Sequence, residues 1–224
     1  MSAILKLSEQ LLSNIKHGNS YQNEIIELSQ IRYENLLMEL ETDNHKKTFW
    51  LNIYNSFYQI YAKTILDKSI YTQKVIIIAD MFFSLDTIEH GILRQGKFVI
   101  GFGYLKNPFY ASYIKQLQVN NIDYRIHFAL NCGAISCPPI FVYEFEQLEK
   151  QLHSATDSFI RAETTINADS KTISTSKLFL WYKGDFGSNK NIKILIEKIF
   201  NLQINDYLLK YNDYNWTKKL DNYS

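Results

Sequence analysis

The chain has 224 residues, of which 46% are hydrophobic and 21% charged, a balance that fits a folded globular protein and excludes a disordered one. A formal net charge of +1 gives no general attraction to nucleic acid or to anionic membranes, and neither is expected as a partner. Two cysteines are too few for a disulfide framework. Residues 1–9 lack the apolar stretch and cleavage pattern of a signal peptide, and the longest apolar runs, such as residues 75–79, are far too short to span a bilayer. These features point to a cytoplasmic protein whose thiols stay reduced. The length suggests a single domain over residues 1–224.

Leu5, Leu7, Leu11, Leu12 and Ile15 fit a first helix that stops near Gly18. Residues 21–40 carry Ile25, Leu28, Tyr33, Leu36, Leu37 and Leu40 at near-helical intervals and read as a second. Thr42-Asp43-Asn44 is turn-like and suits the cap of a third helix over residues 46–66. There Phe49, Ile53, Phe57, Ile60 and Tyr61 form an apolar stripe. Asn52, Asn55 and Gln59 lie beside it, which is unusual for a plain core face because a buried amide needs hydrogen-bond partners.

Residues 86–94 read as a short helix, with Asp86 as N-cap and Glu89 completing a capping box. His90 and Arg94 share its face at i, i+4. Gly96, Gly101 and Gly103 mark a loop that lacks the Lys-Ser/Thr of a phosphate cradle. Residues 124–130 form the best strand pattern, with Ile126, Phe128 and Leu130 on one face and Arg125, His127 and Ala129 on the other. A long amphipathic helix follows over residues 144–161, through Phe145, Leu148, Leu152, Ala155 and Phe159. Residues 164–166 and 172–174 suggest a hairpin. A short apolar element over 178–182, a helix over 192–202 and a tail with Trp216 and several tyrosines complete the chain. The pattern predicts an α+β fold, mostly helical, around a small and mostly antiparallel sheet.

Both cysteines, Cys132 and Cys137, fall in the loop that follows His127. Loops at the ends of rigid elements are common places for reactive groups. Gly133 permits positive φ, and Pro138-Pro139 stiffens the exit. Four readings are open. A thiolate attacks a carbonyl while His90 or His127 takes its proton, with Asn131 or Asn55 orienting or polarising. His90, His127, Cys132 and Cys137 hold zinc, although the spacing is not a recognised finger. The cysteines form a reversible dithiol pair, although four residues separate them rather than two. Or they are buried structural residues, as free cysteines often are. His127 equally suits a satisfied core histidine, His90 and Arg94 a solvated helix face, and Asn52 and Asn55 structural amides tying a loop to a helix.

Three segments carry a family resemblance: 49–55 (FWLNIYN), 88–94 (IEHGILR) and 125–139 (RIHFALNCGAISCPP). They resemble the domain of unknown function 547 family, and 180–187 (LWYKGDFG) is similar to that family's closing motif. The resemblance implies that Asn52, Asn55, His90, Arg94, His127, Cys132, Cys137 and Asp185 occupy its motif positions. Histidines that precede the cysteines also match, by analogy, a permuted papain-like arrangement. The leading expectation is a thiol-dependent hydrolase or acyltransferase acting on a small acyl, peptide or amide substrate. Cys137 or Cys132 is its nucleophile and His90 or His127 its base, Arg94 binds a carboxylate, Asp185 adds a binding group, and no cofactor or metal is called for. The alternatives are a non-enzymatic ligand- or protein-binding module and a His/Cys zinc site.

Overall fold

The computed structural model describes residues 2–65, 67 and 69–223. Expectations that touch Met1, Leu66 and Ser224 lie outside the described residues. Helix α1 (Ala3–Lys16) starts where the Ser2 side chain accepts from the Leu5 N–H and ends before Gly18, at φ +69°. The single helix expected over 21–40 is two, α2 (Gln22–Gln30) and α3 (Tyr33–Glu39), separated at Ile31 and Arg32. The break has a visible cause. The carbonyls of Leu28 and Ser29, which would continue the helix, accept instead from the N–H groups of Ala79 and Asp80. Those two residues form the tight turn between β1 (Ile76–Ile78) and β2 (Met81–Phe83), both with positive φ. Such turns normally announce themselves with Asn-Gly or Asp-Gly, and Ala-Asp gives no such signal.

Helix α4 (Asp43–Tyr61) is capped by Thr42, whose side chain accepts from the His45 N–H. It is buried on nearly every side from Lys46 to Gln59, as expected of a helix at the centre of a core. Helix α1 packs along it. A short helix α5 (Ser69–Thr72) precedes β1. Residues Thr87–Leu93 then form a π-helix, in which the Arg94 N–H reaches back to the Glu89 carbonyl at 2.9 Å. Its first turn is capped by Ser84, whose Oγ accepts from the Thr87 N–H at 3.1 Å, and not by Asp86. Helix α6 (Ser112–Leu117) follows a long loop.

The strand expected over 124–130 is a 3-10 helix, Tyr124–Phe128. Asp123 sets it: its carboxylate accepts from the Arg125 N–H and side chain and from Lys47 on α4. The alternating pattern misleads because this segment lies between two cores. Ile126 and Ala129 enter the cluster built on α1, α4, the β1–β2 hairpin and the π-helix. Phe128 enters a second cluster formed with Phe159, Ile173, Phe179 and Ile192.

Helix α7 (Leu148–Glu163), led in by a 3-10 turn at Phe145–Gln147, has the amphipathic character read from the sequence. The expected hairpin is present as β3 (Thr165–Asn167) and β4 (Thr172–Thr175). A fifth strand, β5 (Leu208–Tyr211), adds parallel to β4. Between them lie α8 (Leu178–Trp181), α9 (Lys183–Phe186) and α10 (Asn189–Phe200). The fold is α+β and about half helical. Among the described residues the strands make two small sheets, of 2 and 3 strands, in place of one.

Candidate functional site

The 3-10 helix delivers its chain into a loop fixed by asparagines. Asn55 on α4 accepts from the Asn131 N–H at 2.9 Å and donates to the Ala129 carbonyl at 3.0 Å. Asn52, three residues earlier, holds both backbone groups of Tyr143 in the same way. Asn131 closes the loop on itself, accepting from the Gly133 N–H at 2.8 Å and donating to the Pro138 carbonyl at 2.6 Å. Thus Asn52, Asn55 and Asn131 place backbone, and their amides are directed at the chain itself.

This closure brings Cys132 and Cys137 to a Cα separation of 6.1 Å, within the range a disulfide spans, and their sulfurs are bonded to each other. The expectation of reduced thiols is corrected accordingly. The two sulfurs are not equivalent. Cys137 is 6% exposed, whereas Cys132 is half-buried. The Cys132 N–H donates to Cys137 Sγ at 3.1 Å, and the Tyr214 hydroxyl lies 3.1 Å from Cys137 Sγ and 3.3 Å from Cys132 Sγ. The segment that follows Tyr214 straps the loop from outside. Ile135 and Ser136 N–H groups donate to Thr217 and Asn215, Lys219 donates back to Gly133, and Ile140 donates to Asn222.

Against the other side of the loop stands a buried charge cluster. Arg94 and Asp185 are fully buried and meet at 2.5 Å, Nε to Oδ2. The same carboxylate oxygen lies 3.0 Å from His127 Nε2. Arg94 Nη1 lies 2.6 Å from His90 Nδ1; since the guanidinium can only donate, that nitrogen accepts and His90 carries its proton on Nε2. Tyr182 packs its ring on His127 at 3.9 Å between centroids and under the Arg94 guanidinium at 4.6 Å. Its hydroxyl donates to Glu89 at 2.8 Å, and the Tyr54 hydroxyl reaches the other Glu89 oxygen at 3.3 Å. The long loop before α6 seals the cluster. Its Phe102 carbonyl accepts from the Gly184 N–H, and a Cβ on Gly103 would lie 2.9 Å from Asp185 Oδ1 and 3.0 Å from Arg94 Nη2. Only glycine leaves room for the pair at that point.

The protonation states follow from this packing. Burial pushes the Asp185 carboxyl up, but His127 and Arg94 outweigh it and hold it below the usual carboxylate range. Glu89 is held low in the same sense, burial being overcome by His90, Arg94 and His127. Burial lowers both His127 and His90, against the pull of the nearby carboxylates, so both are neutral imidazoles at neutral pH. Asp86 is the exception. Burial, with Glu89 adding to it, pushes Asp86 up to about 7. A carboxyl raised in the folded state favours folding fully below its unfolded value near ~4 and loses that contribution as pH rises toward 7. Asp86→Asn, which cannot ionise, is therefore expected to melt higher than the wild type at pH 8 and to show no such advantage at pH 4. Equal melting differences at the two pH values would contradict the assignment.

Two spaces adjoin the disulfide. A small, partly open cavity of about 40 Å³ is lined by both cysteines, His127, Glu89, Tyr54, Tyr182 and Tyr214. A groove of about 580 Å³ is lined by Cys132 but not Cys137, together with Tyr58, Tyr71, Trp216 and Ile70. Of the two candidate histidines, His127 thus shares a cavity with the sulfurs, and His90 does not line it. Arg94, read as a clamp for a carboxylate, has one inside the protein, Asp185. Glu89, Tyr182 and Tyr214 were not singled out as site residues. Glu89 stands in the quoted 88–94 segment but resembled a helix cap, and Tyr214 joins the site only through folding. Among the described residues no group of three or more His, Cys, Asp or Glu is placed to hold a metal ion, and bonded sulfurs are not thiolate ligands. No helix among them is long and apolar enough to cross a membrane.

Fold and site together define an α+β protein in which a carboxylate-held histidine shares a cavity with two cysteines. The family model described as "Protein of unknown function, DUF547" matches residues 37–160, more than half of the chain, and the chain belongs to that family. The match takes in Arg94, His127 and both cysteines; Tyr182, Asp185 and Tyr214 lie beyond it. No curated protein and no solved structure matches the chain.

Proposed function

We propose that the protein is a thiol-dependent hydrolase or acyltransferase whose disulfide is the resting form of the nucleophile. The observation that carries this reading is the placement of His127: it is held by Asp185 at 3.0 Å and lines the same cavity as both sulfurs. Asp185 accepts the Nε2–H, which leaves Nδ1 as the basic nitrogen and fixes the tautomer. Cys132 is assigned as the nucleophile because it alone of the pair also walls the open groove. Once reduced, its sulfur attacks the carbonyl carbon of a small acyl, peptide or amide substrate. His127 Nδ1 takes the thiol proton and returns it to the leaving group, and water or a second nucleophile then removes the acyl group. A neutral His127 suits general-base catalysis better than a preformed ion pair.

The test uses p-nitrophenyl acetate on protein reduced with a phosphine and freed of it. The expected result is an acetyl group on Cys132 by peptide mapping, with release of nitrophenol. His127→Ala is expected to slow acetylation by about 10²- to 10⁴-fold, while the oxidised protein does not react. Acetylation no faster than that of free cysteine, or unaffected by His127→Ala, overturns the reading. A second reading, a non-enzymatic ligand- or protein-binding module, draws on the amides of Asn52, Asn55 and Asn131, which find partners within the chain, and on the Arg94–Asp185 pair, whose members bind each other although Arg94 Nη2 and Asp185 Oδ1 have no hydrogen-bond partner among the described residues. It requires thiols of ordinary reactivity.

A further inference from the structure

The disulfide is asymmetric in exposure and in hydrogen bonding. Cys132 borders the 580 Å³ groove and Cys137 does not. Cys137 receives a backbone N–H at 3.1 Å, and the Tyr214 hydroxyl lies closer to it than to Cys132, at 3.1 against 3.3 Å. Cys137 is also the more buried of the two. In thiol–disulfide exchange the attacked sulfur must be reachable, and the sulfur that leaves does so faster when its thiolate is stabilised. We infer that this site carries out directional thiol–disulfide exchange, with Cys132 as the sulfur attacked and Cys137 as the sulfur released. The inference rests on Cys132 being the groove-side sulfur, as assigned above, and does not require acyl transfer.

The chemistry balances with a thiol as the sole co-reactant. An incoming thiolate attacks Cys132 Sγ, forming a mixed disulfide and breaking the Cys132–Cys137 bond. The electron pair of that bond stays on Cys137 Sγ, which the Cys132 N–H and the Tyr214 hydroxyl receive as a thiolate. A second thiolate then attacks the external sulfur of the mixed disulfide. It releases the oxidised thiol dimer and leaves Cys132 reduced, so two thiols lose two electrons to the protein. The groove states which thiol. Its walls are mostly aromatic and aliphatic, Tyr58, Tyr71, Ile65, Ile70, Ala62 and Trp216, with Asp67 and Lys218 as its two charged members. A cysteine flanked by apolar or aromatic groups fits the larger part of such walls better than a highly charged small thiol does.

The experiment uses the oxidised protein and no ester. It is mixed with N-acetyl-Phe-Cys-Leu amide or with glutathione and quenched with iodoacetamide, and both cysteines are mapped. The expected product carries the peptide on Cys132 and the alkyl group on Cys137, in excess over the reverse by on the order of tenfold. The apolar peptide should also outpace glutathione once each rate is divided by that thiol's rate with hydroxyethyl disulfide. Adducts shared equally between the sulfurs, or found chiefly on Cys137, overturn the direction. A disulfide that resists both thiols until denaturant is added overturns the activity. A preference for glutathione overturns the substrate class. Exchange without acetylation refutes the acyl-transfer reading alone.

Discussion

Asp185→Asn is expected to destabilise the fold by about 3–5 kcal/mol, the cost of leaving one member of a buried ion pair without its partner. Arg94 and Asp185 are fully buried, and Arg94 has no other carboxylate at hydrogen-bond distance among the described residues. The same substitution weakens the acceptor of His127 Nε2. For a chain of this size the loss corresponds to a fall in melting temperature of roughly 10 °C or more. Removing both charges at once tests the cause: Arg94→Met with Asp185→Leu should recover most of the loss, because apolar replacements of a buried pair are often near neutral. A double variant as unstable as Asp185→Asn would show that the ion pair is not what fails. The cluster also sets the acid sensitivity. Asp185 and Glu89 have folded values below their unfolded ones, so their contribution is complete above ~4 and is lost as pH falls through the lowered values. His127 and His90, held neutral by burial, lose theirs earlier, as the unfolded chain begins to take protons below ~6.5.

Gly133→Ala is expected to cost about 3 kcal/mol and to disturb the cysteine loop itself. Gly133 has φ +68°, a conformation that strains any residue with a Cβ, and the added methyl carbon would lie 2.5 Å from the Tyr58 ring. Tyr58 is itself buried on α4, so its ring can yield only toward the groove that its tip borders. The measurement is thermal melting together with the rate at which a phosphine reduces the disulfide, and that rate should rise as the loop loosens. A variant that melts with the wild type and reduces no faster would mean that the loop absorbs the methyl group without strain.

Much of the helical frame was legible because burial there follows a single period. Helices α1 and α10 each present one apolar face to one core, α7 carries a single apolar stripe whose Leu148 and Leu152 meet the first core and whose Phe159 and Ile160 meet the second, and the β3–β4 hairpin is announced by its polar turn. The failures share a physical origin in partners supplied from far along the chain. Helices α2 and α3 part where the Ala79–Asp80 turn takes two carbonyls. The 124–130 segment alternates because Ile126 and Phe128 serve different cores. At the site, His90, Arg94, His127, Asp185, Cys132 and Cys137 were singled out by residue type and motif. The structure gathers His90, Arg94, His127 and Asp185 into one cluster and bonds the two cysteines to each other. Proximity of the cysteines in sequence left a dithiol pair as one of four open readings and did not single it out, because only the Asn131 staple and the outer strap show how tightly the loop is closed.

That strap has a consequence for when the reactive sulfurs are available. The 215–222 segment is hydrogen-bonded to 133–140 through a handful of backbone bonds at the periphery, whereas α4 beneath is anchored throughout its length. Fluctuations that peel the strand-like end away need not disturb the helical interior, since proteins open in local units with free energies well below that of global unfolding. Access to the more buried sulfur, Cys137, would then be governed by a breathing equilibrium of residues 215–222, and Lys219→Pro, which removes the N–H given to Gly133, would tune its reactivity while the melting temperature stays almost fixed.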